Sequence, residues 1–136
     1  MRLYIASALH NRIAARDFAA ALRSDGHTVL STWHEHAAST VEVEARLSHA
    51  AQRSIQRQCR NELVASDGLV WLYDNSDRVG NVYEAGVADG LGMPAFACHV
   101  SAFEANAPPP TLMAYSETVI LCADAYDVRD ALLGRT

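Results

Sequence analysis

Short apolar runs alternate along this chain with longer stretches in which apolar residues recur every three or four positions. The short runs predict five β-strands, at residues 3–6, 28–30, 68–73, 95–100 and 118–122. The recurring positions predict four helices, at residues 13–24, 40–65, 81–91 and 124–133. Asp25 with Gly26 predicts the end of the first helix, and Gly92 with Pro94 the end of the third, because glycine and proline terminate helices.

The alternation of strands and helices predicts an α/β fold in which helices cover both faces of a parallel sheet. Residues 68–73 are apolar throughout, as expected for a central strand that is covered on both sides. Five such strands predict a flavodoxin-like three-layer sandwich with strand order 2-1-3-4-5, formed by residues 1–136 as a single domain. Ligands of such sheets bind where the strand order reverses, which places residues 7–12 opposite residues 74–80.

Composition narrows the partners that this domain is expected to have. The chain has 136 residues, of which 50% are hydrophobic, and a net charge of -5. Its 11 basic residues are scattered arginines that form no basic stripe, so a free nucleotide is a more plausible ligand than a nucleic acid. No apolar run approaches the ~18 residues of a membrane span, and the three cysteines lack CxxC spacing. We therefore expect a soluble cytoplasmic protein with reduced thiols and no membrane partner.

Glu84 is the first candidate for chemistry, because it follows a polar loop at the predicted ligand-binding edge. Gly80 allows a close approach of the backbone to a ligand, and Asn81 is the predicted N-cap of the following helix. Glu84 is then expected in the first turn, where the helix dipole favours the ionised carboxylate that a nucleophile requires. The alternative is that Glu84 only completes a capping box.

Three motifs occur in order along the chain: Y-I-A-S at residues 4–7, G-x-x-x-E-x-G at residues 80–86 and G-x-P at residues 92–94. Together they resemble the nucleoside 2-deoxyribosyltransferase family, including its relatives that hydrolyse nucleoside monophosphates. The segment at residues 111–115 is similar to the part of that family that reaches into a neighbouring subunit's site. The resemblance covers about residues 1–125.

The resemblance implies that Glu84 attacks the anomeric carbon of a nucleoside or nucleotide and displaces the base. Water or a second base then resolves the glycosyl-enzyme ester, as in retaining glycosidases. Tyr4 is expected to orient the carboxylate, although an aromatic residue in a strand can equally fill the core. Asp77 matches an upstream family aspartate if one residue is inserted, and with Asp74 it supplies a second carboxylate near the base. Both acids are alternatively solvated loop residues.

Four further residues are candidates for holding the substrate. Ser7, His10 and Arg12 follow the first strand and are expected to hold a 5′-phosphate or a 5′-hydroxyl, or else to be solvated. Trp33 follows the second strand and is expected either to stack on a base or to fill the core. The sequence around His34 offers no third ligand for a metal ion, and the resemblance implies neither a metal nor an organic cofactor.

The family's pattern also bears on assembly and on activity. Thr111 and Met113 match positions that cross a dimer interface in relatives, which implies a homodimer or a larger homo-oligomer with shared sites, although an ordinary loop would carry the same residues. Cys59 stands where relatives place an aspartate near the base, and we expect it to be a small buried hydrophobic residue. That departure implies another acid, a different substrate or a loss of catalysis.

Two other functions fit the same pattern. A glycohydrolase of the Toll/interleukin-receptor type also uses a glutamate on a flavodoxin-like sheet, and it cleaves NAD. A nucleotide-sensing module would keep the pocket without turnover, and Cys59 favours that possibility.

Overall fold

The computed structural model describes residues 1–36, 47–74, 79–101 and 112–134. The strands are Arg2–Ser7 (β1), Thr28–Val29 (β2), Gly68–Tyr73 (β3), Ala95–His99 (β4) and Val119–Leu121 (β5). The helices are Arg12–Ser24 (α1), His49–Val64 (α2), Val79–Gly90 (α3) and Ala125–Leu133 (α4). Short 3-10 turns occur at Leu9–Asn11, Trp33–Glu35 and Leu112–Tyr115.

The five strands form one parallel sheet in the order β2-β1-β3-β4-β5. This order confirms the predicted flavodoxin-like α/β fold. Every residue of β3 is buried, as expected for the central strand. Helices α1 and α4 are joined by an ion pair between Arg129 and Asp25, with 2.6 Å between Nε and Oδ2. Helices α2 and α3 pack against each other and against β1. None of the described helices is long and apolar enough to cross a membrane.

The predicted ends of two helices are confirmed, and both have the same geometry. Gly26 after α1 and Gly92 after α3 adopt positive φ angles of 92° and 68°. In each case the glycine amide and the next amide return to carbonyls of the last turn, at N···O distances of 2.9–3.1 Å. This is the Schellman motif, which glycine forms without steric cost.

The start of α2 differs from the prediction. The helix begins at His49, because Ser48 is extended (φ -63°, ψ 158°) and its hydroxyl accepts a hydrogen bond from the Ala51 amide at 3.2 Å. Leu47 and Ser48 are therefore not helical, whereas the prediction began the helix at residue 40. Residues 40–46 lie outside the described ranges. The cap satisfies the Ala51 amide, which would otherwise lack a partner. It fixes the start of the helix at His49, although the helical pattern of the sequence continues before this residue.

His34 is a fully buried imidazole on the turn Trp33–Glu35. Its Nε2 lies 2.9 Å from the Ser31 hydroxyl, and that hydroxyl also accepts a hydrogen bond from the Ile5 amide at 3.0 Å. Burial lowers the pKa of His34 from its usual 6.5 to about 4. The folded protein therefore holds this ring in its neutral form.

We expect His34 to make the fold sensitive to acid. Its folded-state pKa lies below its unfolded value, so its contribution is fully present above about pH 6.5 and is lost as the pH falls towards 4. The His34→Gln variant should therefore lose less unfolding free energy than wild type between pH 7 and pH 4, by up to about 3 kcal/mol. Urea unfolding at both pH values measures this, with the exposed His36→Gln as control. Equal losses in the wild type and His34→Gln would refute it.

Candidate active site

Three side chains from three different elements meet on the face of the sheet that α2 and α3 cover. Tyr4 of β1 is buried, and its phenol interacts with both the Glu84 carboxylate on α3 and the Cys59 thiol on α2, each of which raises the pKa of the phenol. Because side chains alternate along a strand, Tyr4 faces these helices while Leu3 and Ile5 face the opposite layer. The structure thus joins residues that lie 80 positions apart in the sequence.

The Glu84 carboxylate is half-buried, and its environment controls its charge. Burial raises the pKa of Glu84 from its usual 4.5 to about 7, while the hydrogen bond from Tyr4 acts in the opposite direction. Near neutral pH, both the ionised and the protonated forms are therefore populated. A carboxylate with a raised pKa is a stronger base and a stronger nucleophile than a solvated one.

The predicted reason for the charge state of Glu84 is wrong. Helix α3 begins at Val79, so Glu84 lies in the second turn, beyond the reach of the helix dipole, and it cannot complete a capping box. Asn81 is not the N-cap either, because it is the third residue of the helix; its Oδ1 accepts a hydrogen bond from Trp71 Nε1 at 3.3 Å. Gly80 belongs to the first turn rather than to the preceding loop. Burial, not the dipole, determines the pKa of Glu84, and it raises that pKa instead of lowering it.

Helix α3 is fixed near both ends, which holds Glu84 over β1. Near its start, Asn81 is buried against Trp71 of β3. Near its end, the Asp89 carboxylate accepts hydrogen bonds from the Ser116 and Thr118 hydroxyls, which lie just before β5. Preorganisation of this kind is what a catalytic carboxylate requires.

We expect Tyr4→Phe to raise the pKa of Glu84 further. The lost hydrogen bond is the interaction that lowers this pKa, so the shift should be upward, by roughly half a unit to one unit. A carbon-13 NMR titration of the glutamate carboxyl groups measures it. The matched control is Tyr126→Phe, which removes a largely exposed phenol. An unchanged or lower pKa in Tyr4→Phe would show that the hydrogen bond is not formed in solution.

Cys59 combines its predicted role with one that the sequence did not show. It is partly buried and packs against the core, as expected of a small hydrophobic residue. Its thiol also interacts with the Tyr4 phenol, so it belongs to the environment of Glu84. The periodicity of α2 placed Cys59 on the inner face, but it did not identify the side chain that Cys59 meets there.

A second polar cluster lies where β1 and β3 end. Asp74 Oδ2 is 2.7 Å from His10 Nε2 and accepts a hydrogen bond from Asn11 Nδ2 at 2.8 Å. The predicted approach of the loop after β1 to the end of β3 is therefore confirmed for these residues. Asn11 was not among the predicted site residues. The feature that could have identified it is its position beside His10 in the loop at this edge of the sheet.

Ser7 and Arg12 both contact protein atoms. The Ser7 hydroxyl is buried, donates to the Leu72 carbonyl at 2.7 Å and accepts a hydrogen bond from Asn11, so it is occupied within the protein. Arg12 Nη1 donates to the His34 carbonyl at 3.4 Å. That one contact leaves other N–H groups of the guanidinium, so a role of Arg12 at a 5′-phosphate or a 5′-hydroxyl stays a prediction.

Trp33 fills the core instead of presenting a ring to a base. It is only 7% exposed, and its Nε1 donates to the Ile5 carbonyl at 2.7 Å. A ring buried in this way offers no face for stacking, so the second of the two predicted roles applies.

The remaining predicted residues fall where the structure gives no side-chain contacts. Asp77 and Thr111 lie outside the described ranges, and Met113 is described only as part of the turn Leu112–Tyr115. Within the described ranges, no three His, Cys, Asp or Glu residues are grouped so that they could hold a metal ion.

Comparisons of the chain with protein-family models, curated proteins and solved structures give no match. The motifs in the sequence and the geometry of the site are therefore the grounds for a function of this protein.

Proposed function

We propose that this protein cleaves the N-glycosidic bond of a nucleoside or a nucleoside 5′-monophosphate, with Glu84 as the attacking carboxylate. The observation that carries the proposal is the placement of the Glu84 carboxylate beside the buried Tyr4 phenol, where burial raises the pKa of the carboxylate to about 7. A solvated surface glutamate would have neither this pKa nor a fixed partner.

The chemistry requires an ionised oxygen at C1′ of the sugar. Glu84 attacks that carbon, the base departs with the electron pair of the C–N bond, and a glycosyl ester remains on the carboxylate. Tyr4 restricts the rotation of the carboxylate, which reduces the entropic cost of attack. Water, or a second base, then takes the sugar.

The reaction is best tested with a panel of nucleosides, nucleoside monophosphates and NAD. Incubation with the wild-type protein, followed by chromatography for released base, should show turnover of at least one nucleoside or monophosphate. Release of nicotinamide from NAD alone would instead assign the protein to the NAD-cleaving class. Release of no base from any member would refute the proposal.

One observation favours a second candidate, a nucleotide-sensing module without turnover. Cys59 occupies the place beside Tyr4 where the resemblance implies an aspartate, so one acid of the family's pattern is absent from this site. Calorimetric binding of a nucleotide that is not cleaved during the same incubation would identify such a module.

The resemblance also underlies the proposed assembly, a homodimer in which Thr111 and Met113 complete the neighbouring site. Sedimentation at several protein concentrations measures this directly. A monomer that still releases base would show that each chain carries a complete site.

A further inference from the structure

We propose that His10, held by Asp74, is the general acid that protonates the departing base, and that the substrate therefore carries a neutral nucleobase. This inference rests on the proposed function and adds to it the proton donor and the class of leaving group.

The geometry of the pair suits an acid that must reach a ligand. His10 Nε2 lies 2.7 Å from Asp74 Oδ2, and the same oxygen accepts a hydrogen bond from Asn11 at 2.8 Å. The Asp74 side chain is 15% exposed, whereas the His10 side chain is 52% exposed. The carboxylate is thus anchored at the end of β3, and the imidazole extends from it towards solvent.

The position of the pair matches the place where this fold binds ligands. His10 and Asn11 follow β1, and Asp74 follows β3, the two central strands between which the strand order reverses. Ligands of doubly wound sheets lie at the carboxyl ends of these strands. Tyr4, which holds Glu84, lies on the same β1 strand that leads into the His10 loop.

The charge of Asp74 favours an acid role over phosphate binding. A carboxylate beside an imidazole orients the ring, as in catalytic triads. The same carboxylate repels a phosphate dianion, and the Ser7 hydroxyl of this loop donates to a protein carbonyl. The pair is therefore better suited to donate a proton to a neutral acceptor than to hold an anion.

The proton that His10 gives up in the first step returns to it in the second. In the first step, the protonated His10 ring gives a proton to a ring nitrogen or carbonyl oxygen of the base. The bond from C1′ to the base breaks towards the base, and a Glu84 oxygen bonds to C1′. In the second step, water attacks C1′ and releases Glu84, while the neutral imidazole takes the proton of that water. The sum is nucleoside plus water giving free base plus sugar, with His10 restored.

The need for an acid separates two classes of substrate. A neutral nucleobase leaves as an anion unless it is protonated, so an acid accelerates its departure greatly. Nicotinamide in NAD is cationic and leaves as a neutral molecule, so it gains nothing from an acid. A histidine and carboxylate pair at this edge therefore favours nucleosides over NAD.

The test compares two leaving groups in one variant. His10→Gln keeps a polar side chain of similar size at an exposed position but cannot donate an acidic proton. It is measured on the nucleoside that wild type cleaves fastest, and on the 4-nitrophenyl glycoside of the same sugar, whose phenolate leaves without a proton. His49→Gln, at an exposed position on α2, is the matched control.

We expect kcat/KM of His10→Gln to fall about 100-fold or more on the nucleoside and less than about threefold on the nitrophenyl glycoside. The alkaline fall in kcat/KM that marks an acid in wild type should also be absent from the variant on the nucleoside. Equal losses on the two substrates, or an unchanged rate on the nucleoside, would overturn the role of His10 and leave the proposed function standing. A wild-type protein that releases no base at all would overturn both.

Discussion

Replacing Glu84 by glutamine is expected to lower the rate of base release by at least about 10³-fold. Glutamine has nearly the same shape and can still accept the hydrogen bond from Tyr4, but it has no negative charge and forms no glycosyl ester. The geometry is therefore conserved while the nucleophile is removed. Chromatographic detection of free base, under single-turnover conditions, measures the loss.

The matched control for this experiment is Glu117→Gln, which makes the same chemical change at an exposed position before β5. Glu117→Gln should keep the wild-type rate. If Glu84→Gln also keeps it, the carboxylate at this position is not the nucleophile, whatever substrate the protein cleaves.

The same substitution is expected to stabilise the fold at alkaline pH. The folded-state pKa of Glu84 is about 7, against a usual value of 4.5, so the folded protein favours the protonated form. The associated stability is fully present below about pH 4.5 and is lost as the pH rises through 7. A neutral glutamine does not incur this loss. We therefore expect the free energy of unfolding of Glu84→Gln to exceed that of the wild type by about 3 kcal/mol at pH 9, and to show no such gain at pH 4.

Denaturant unfolding at pH 4 and pH 9 measures this difference, again with Glu117→Gln as the control. A Glu84→Gln protein that is no more stable than wild type at pH 9 would show that the carboxylate is well solvated in the folded state. A gain in stability together with a loss of activity is the pattern expected when a site keeps a partly buried charge that its chemistry needs but that destabilises the fold.

Glu84 and His34 are expected to affect stability in opposite directions over overlapping pH ranges. As the pH rises from 4 to 6.5, the fold recovers the stability associated with neutral His34, and from 4.5 to 7 it loses that associated with protonated Glu84. Their effects therefore partly cancel in the wild type. Single variants are needed because the wild-type pH profile alone conceals both terms.

Several features of this protein follow from its sequence alone. The alternation of apolar runs and helical stretches predicts a parallel sheet, because right-handed crossovers join parallel strands and central strands are apolar on both faces. Five strands in a small domain favour the order 2-1-3-4-5, which the structure has. The stops at Gly26 and Gly92 were also predictable, since only glycine adopts these positive φ angles without cost. The same topology predicted that the loop after β1 approaches Asp74.

The environment of each candidate site residue was decided only by the tertiary structure. Glu84 was expected to be ionised at a helix start, yet its position in the second turn and its burial against Tyr4 shift its pKa in the opposite direction. Trp33 was predicted either to stack on a base or to fill the core. Its burial and its hydrogen bond to the Ile5 carbonyl show that it fills the core. The pairing of His10 with Asp74 joins residues 64 positions apart. Local patterns specify elements and their ends, whereas burial and hydrogen-bond partners depend on which elements pack together, and the sequence pattern does not contain that information.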